Sequence, residues 1–408
     1  MGAGADRRVA GSKSMELCMI RSMLGGMGVL VAATVLHGQT PVAPAPASAV
    51  QVPQVPSQPT KAAIAPRAFV ATLVIGAPAP VLGINVWIKG APVNEYKPGT
   101  IYVVEFWSPR VAACRRSGPL LSELAALYKD SGVTIISVAT VEQQGPGVVD
   151  AYVKQMGEKI THTVGYDTTG DTTRRYMQPS GQSGIPVAFV VNERGQIAWI
   201  GHPMDNLDRV LAKMTSGSWD LIKANDEARR KAAAEEKSGP LVMRLEEEFA
   251  AGQTDKALAT MDQLFAIDPP VMGEWAMTKF AYLLMQKRDA DMAYAYAAAM
   301  LEGGLKDDPE TLKAIAWMTL AEPGVVQRNI PLARQMAQRA DELTKHADAN
   351  ILDTLAKAQF ESGDIKGAVE TQKLAVEAAT LPSQKKELEQ RLRQYVVAKK
   401  VETSVKQP

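Results

Sequence analysis

The sequence predicts an α/β domain, built as a central mixed sheet flanked by helices, followed by an all-α helical-repeat domain. Three observations predict it. Across residues 75–214, short β-branched runs alternate with stretches of helical spacing. Two late runs are joined by Asn192-Glu193-Arg194-Gly195, which is hairpin chemistry with Gly where positive φ is needed. After Trp219 the chain reads as helix throughout and carries a loose internal repeat. A chain of 408 residues holds two or three domains at the usual size of about 100–200 residues each.

The elements follow in order. Gly76-Ala77-Pro78-Ala79-Pro80 is a turn signal ahead of the apolar stretch 84–88. Residues 101–107, Ile-Tyr-Val-Val-Glu-Phe-Trp, are β-branched and aromatic with one acid inside, and read as a buried central strand. Residues 112–129 place Leu120, Leu121, Leu124, Ala125 and Tyr128 on one helical face. A buried strand over 133–138, a helix over 148–156, strands over 187–191 and 196–200, and a closing helix over 205–214 complete the order β-α-β-α-β-β-α.

Ahead of this domain, Arg7, Arg8, Lys13 and Arg21 precede an uncharged apolar run of 14 residues, 23–36. That length suits the apolar region of a signal peptide and is short for a bilayer span. Residues 1–40 are therefore read as an export signal, and the Pro- and Ala-rich residues 41–66 as an extended linker. The expected location is periplasmic or extracellular, with no stable membrane insertion once the signal is cleaved. The formal net charge of +1 gives no global attraction to nucleic acid. Of the two cysteines, Cys18 and Cys114, only Cys114 lies beyond the signal. A disulfide framework within the mature chain is thereby excluded.

The stretch Glu105-Phe106-Trp107-Ser108-Pro109-Arg110-Val111-Ala112-Ala113-Cys114-Arg115-Arg116 resembles the active-site segment of thioredoxin-fold proteins of the TlpA/ResA type. Pro119, the Gly184-Ile185-Pro186 loop and the strand-turn-strand from Ala188 to Ile197 match the same family. The resemblance covers residues 70–216, and the long stretch 141–176 resembles the insertion of TlpA/ResA-like members. It implies thiol-disulfide oxidoreductase ancestry and a cis-proline loop beside the active site. It also implies a buried acid, here Glu105, that moves protons, and a substrate contact at Trp107, Ile185 and Pro186.

The departure from the family is specific. Its members carry two cysteines three residues apart, on one helix face. Here the first, attacking position holds Val111 and the second holds Cys114. Valine has no nucleophile, so an intramolecular two-cysteine shuttle is closed. Cys114 then has two readings. As a monothiol it would gain thiolate character from Arg110, Arg115, Arg116 and the helix N-terminus. As a buried apolar residue it would be inert. A peroxiredoxin loop is not matched, since Pro109 stands five residues before Cys114 with no hydroxyl residue in the loop proper. Glu105 accordingly acts as a proton relay or remains a buried, protonated carboxyl.

His37, His162, His202 and His346 lack metal-ligand spacing, so no metal and no other cofactor is expected. Residues 217–238 read as a connecting helix and 239–400 as helical repeats resembling tetratricopeptide repeats. Gly252 and Gly363 stand at equivalent turns, and Ala257, Ala293, Ala333 and Ala368 at equivalent helix positions. Trp275, Phe280, Tyr282, Tyr294, Tyr296 and Trp317 either line a binding groove or form the core between helices. Met261, Met277 and Met300 read as core. The expected partners are protein or peptide clients, bound by the cis-proline loop and the repeats. The expected activity is that of the oxidoreductase family with a degenerate motif, or that of a redox-inactive binding scaffold.

Overall fold

The computed structural model describes residues 71–140 and 145–405, with side chains described to residue 400. Cys18, the signal segment 1–40 and the linker 41–66 lie outside the described residues.

The first described unit holds six strands: β1 (Val86–Lys89), β2 (Ile101–Trp107), β3 (Val133–Ala139), β4 (Thr163–Tyr166), β5 (Val187–Val191) and β6 (Ile197–Gly201). Their order across the sheet is β1-β4-β3-β2-β5-β6. β2 pairs in parallel with β3, and β3 with β4; the β2–β5, β5–β6 and β1–β4 pairs are antiparallel. The helices are α1 (Ala112–Leu127), α2 (Pro146–Met156), α3 (Asp171–Ser180) and α4 (Leu207–Thr215).

Every residue of β2 is buried, which explains its near-continuous apolar run. Because side chains alternate along a strand, Ile101 and Val103 meet α1 and α4 through Leu121, Leu124, Leu207 and Leu211. Tyr102, Val104 and Phe106 face the opposite layer, where Tyr176 and Met177 of α3 cover the sheet. Glu105 and Trp107 are odd-numbered and share the α1 side.

Two elements go beyond the sequence expectations. β4 has only four residues, Thr-Val-Gly-Tyr, too short to announce itself as a strand. The α3 helix includes Pro179 and two threonines, which mask its helical spacing. β4 and the first six residues of α3 fall in the stretch 141–176, read in the sequence only as a family-type insertion.

Among the described residues nine further helices follow: α5 (Leu221–Ala250), α6 (Thr254–Ala266), α7 (Gly273–Ala281), α8 (Ala290–Glu302), α9 (Pro309–Ala321), α10 (Ile330–Leu343), α11 (Ala349–Glu361), α12 (Ile365–Ala378) and α13 (Pro382–Val405). The connecting helix does not stop at 238. It runs unbroken through Gly239 and Pro240 to Ala250, so the boundary drawn at 238 falls inside one 30-residue helix. A π-helical turn, Tyr282–Gln286, extends α7.

Ala257, Ala293, Ala333 and Ala368 are each the fourth residue of α6, α8, α10 and α12, and each is buried. A methyl there lets neighbouring helices approach closely. Gly252 (φ 71°) and Gly363 (φ 83°) both take left-handed backbone immediately before such a helix. Trp275, Phe280, Tyr282 and Tyr294 are buried and belong to the helical core, so the groove reading fails for these four. Met261 is part of that core, and Met277 and Met300 pack against it. Tyr296 and Trp317 are partly buried, beneath Lys279 and Arg391 respectively.

Candidate active site

The loop after β2 turns sharply into α1. The Val111 N–H donates to the Ser108 carbonyl at 3.2 Å and the Arg110 N–H to Ser108 Oγ at 3.1 Å. Val111 is the N-cap of α1, in extended backbone (φ −87°, ψ 121°), and supplies no side-chain cap. The Arg115 guanidinium folds back to donate to the carbonyls of Pro109 (3.1 Å) and Arg110 (3.2 Å), bracing the loop. Valine thus stands at the helix mouth, where an attacking thiol would gain most from the helix N-terminus.

Cys114 lies one turn further in. It is 1% exposed, and it is the free thiol among the described residues. Burial pushes the thiol up to about 11. Backbone hydrogen bonding from the Ser108 region works against that rise, the Glu105 carboxylate adds to it, and Arg115 opposes it weakly. Burial therefore outweighs the nearby arginines, and the thiol is protonated at neutral pH.

Trp107, Cys114, Ala139, Val149 and Val153 form one apolar cluster, against which Val111, Tyr152 and Ile185 pack. The Ile185–Pro186 peptide is cis, as the Gly-Ile-Pro loop implied. Pro186 is buried and Ile185 half-buried. The Trp107 and Tyr152 rings lie 5.7 Å apart. The buried Trp107 indole N–H has no hydrogen-bond partner in the structure. Beside this cluster, Pro109 and Arg110 face Val148, Ala151, Tyr152 and Gln155 of α2 across an open cleft of about 520 Å³.

Glu105 sits beneath Cys114 and is 1% exposed. Burial pushes its carboxyl up to about 7, against the pull of two serine hydrogen bonds. Ser117 Oγ donates to Oε1 at 2.5 Å and Ser137 Oγ to Oε2 at 2.6 Å. Ser117 Oγ also lies 2.9 Å from the Cys114 carbonyl, so one hydroxyl joins the acid to the cysteine backbone. Behind Ser137 stands His162, 5% exposed, with Nε2 at 2.8 Å from Ser137 Oγ and Nδ1 at 2.8 Å from Ser122 Oγ. Burial, aided by the Lys89 charge, pushes the His162 imidazole down to about 4 and holds it neutral.

The fold thus brings Trp107, Val111, Cys114 and Ile185 into one cluster, with Pro186 beside it and Glu105 below. Sequence reasoning missed Ser117, Ser122, Ser137, Tyr152 and His162. Some signals were present: Ser117 is one helical turn from Cys114, and Ser137 is the β3 partner of Glu105 in the parallel register. His162 offered no signal, because it precedes a strand too short to recognise. Among the described residues, no group of three or more His, Cys, Asp or Glu side chains converges as a metal site requires.

The family model described as Redoxin matches residues 89–212. Protein FixW of Rhizobium leguminosarum is 33% identical over 156 residues, covering 36% of this chain and 69% of that protein. Among solved structures, a putative thiol:disulfide interchange protein DsbE from Chlorobium tepidum is 23% identical, covers 36% of this chain and 100% of its own, and gives a TM-score of 0.31. A thiol-disulfide isomerase from Corynebacterium glutamicum is 20% identical, with 35% and 97% coverage and a TM-score of 0.29. With its family-model match, its FixW relative and its mixed sheet flanked by helices, the chain belongs to the redoxin family of thioredoxin-fold proteins.

Proposed function

We propose that this chain is an exported redoxin-family protein that binds protein or peptide clients without running a two-cysteine shuttle. The observation that carries this reading is the pairing of Val111 at the helix mouth with a Cys114 thiol that is 1% exposed and pushed up to about 11. Disulfide exchange needs a thiolate, an accessible sulfur and a resolving partner. At pH 7 such a thiol is ionised in only about one molecule in ten thousand, and no second thiol lies within the described residues.

Binding requires none of these. The cis-proline loop, the half-buried Ile185 and the adjacent cleft offer an apolar seat for an extended client segment. The helical region supplies a second surface. We read it as tetratricopeptide-like, on the recurrent buried alanine at the fourth position of alternate helices. The basic N-terminal stretch and its 14-residue apolar run support export to a periplasmic or extracellular location. Among the described residues no helix is long and apolar enough to cross a membrane.

The test is reduction of insulin disulfides by the purified chain, beside Val111→Cys. The unmodified chain is expected to show no turnover above dithiothreitol alone, and Val111→Cys to gain it. Robust turnover by the unmodified chain contradicts the proposal. A Cys114→Ser chain is expected to retain the same clients, and loss of them would point to covalent capture instead.

A further inference from the structure

Glu105, His162 and three serines form a continuous hydrogen-bonded chain that the binding reading leaves without a role. Each serine hydroxyl carries one proton, and a neutral imidazole has one N–H and one bare nitrogen. These limits leave one arrangement for the ionised acid and two for the protonated acid.

With Glu105 ionised, Ser137 must donate to Oε2, so it accepts from His162 Nε2–H. The bare Nδ1 then accepts from Ser122 Oγ–H. With the proton on Oε1, the carboxyl donates to Ser117, Ser117 turns its own proton to the Cys114 carbonyl, and the His162 side is unchanged. With the proton on Oε2, each bond from Oε2 to Ser122 reverses. The carboxyl donates to Ser137, Ser137 donates to Nε2, and Nδ1–H donates to Ser122. Ser122 then turns its own proton to the carbonyl of Gly118 or Lys159, each 3.1 Å away. The Thr161 N–H donates to Ser122 Oγ at 2.9 Å in each arrangement. The outer end of the chain thus lies at the backbone of the exposed residues Lys159 and Thr161, on either side of Ile160, which is buried in the Cys114 cluster.

We propose that Ser122, His162 and Ser137 form a proton path that lets Glu105 exchange protons with solvent at the 159–161 edge, with His162 changing tautomer at each passage. On uptake, water at that edge gives a proton to Ser122 Oγ, which passes its own to Nδ1. Nε2 passes its proton to Ser137, and Ser137 passes its own to Oε2. One proton enters, one carboxylate becomes a carboxyl, and His162 moves from the Nε2–H to the Nδ1–H form. No imidazolium accumulates, in keeping with the burial of the ring.

The neighbouring titratable groups allow this assignment. From α1, Cys114 faces Glu105; from β5, its register partner is Ala188, which has no charge. From β1, Lys89 faces His162, with Nζ donating to the carbonyls of Ile160 (2.5 Å) and Gly157 (3.5 Å). Ser117 links Glu105 to the Cys114 backbone carbonyl, and the Glu105 charge pushes the thiol up, so each passage of a proton acts on Cys114 electrostatically. The path works while Trp107, Val111 and Cys114 stay closed, and it holds whether or not Cys114 exchanges disulfides. His162 is a positioning residue, acting through Ser137 on Glu105.

The test is ¹⁵N NMR of the histidine-labelled full chain from about pH 9 to about pH 5, with His162 assigned by the loss of its signals in His162→Gln. The Nε2–H tautomer is expected at the alkaline end, and a complete shift to Nδ1–H as Glu105 takes up its proton. Glu105→Gln and Ser137→Ala are each expected to abolish that shift. A single His162 tautomer across the range in the unmodified chain overturns the proposal, even if a variant fails to fold. So does an unchanged shift in Glu105→Gln or Ser137→Ala.

Discussion

Burial acts in opposite senses on Glu105 and His162, and the two effects overlap in pH. Glu105 is raised from the ordinary carboxylate value to about 7. Its folded form therefore binds more protons than its unfolded form between about 4.5 and 7, and stability falls as pH rises through that window. His162 is lowered to about 4, so its contribution is present above about 6.5 and lost as pH falls toward 4. Each shift corresponds to roughly 3 kcal/mol. Over most of the shared range the two slopes cancel. His162→Gln removes one of them. Relative to the unmodified chain, this variant is expected to lose roughly 3 kcal/mol of stability between about pH 4.5 and about pH 7. Urea denaturation across that range checks the difference; parallel profiles for the two proteins would contradict it.

Among the elements, alternate helices of the second region start in the same way. Asp289, Asn329 and Asp364 cap α8, α10 and α12 by accepting from the N–H groups of Met292, Leu332 and Gly367. Gln253, at the same place before α6, makes no side-chain cap. Asp364→Ala is expected to cost about 1 kcal/mol, and Gln253→Asp to stabilise by up to about 1 kcal/mol, read from denaturant midpoints. Ala333→Leu, at a buried position, is expected to cost about 1–3 kcal/mol through overpacking.

These elements also show what the sequence makes legible. The run Ile101–Trp107 and the helix Ala112–Leu127 announce themselves because their periodicity is long and their composition one-sided. Val111 and Cys114 could be placed because a helix fixes the spacing between them. β4 stayed hidden because four residues carry no period. Gly239 and Pro240 suggested a break in α5 that packing overrides: Ser238 and Val242, on either side, are both buried. The polar chain beneath Cys114 was illegible for a different reason. Its members come from β2, α1, β3 and the segment before β4, and only the sheet order brings them together.

At the scale of the whole molecule, the helical region returns to the redoxin sheet. Leu381, just before α13, is buried among Leu121, Leu124, Val210 and Leu211. The Ser383 N–H and hydroxyl both donate to the Glu123 carboxylate, at 2.5 Å each, so the active-site helix α1 holds the start of α13. Arg209 of α4 pairs with Glu310 at 2.9 Å and with Asp348. These contacts join the two regions at α1 and α4. The unmodified chain is expected to unfold in a single calorimetric transition, and the double substitution Arg209→Ala with Glu123→Ala in two. The same enclosure keeps α1 in place around the 1% exposed Cys114, so the thiol is expected to be silent in the folded chain. Thiol titration with Ellman's reagent tests it most directly, in a Cys18→Ser background where Cys114 is the one remaining thiol. Negligible reaction is expected while the protein is folded, and one thiol per chain after denaturation; rapid reaction of one thiol per folded chain would contradict a silent Cys114.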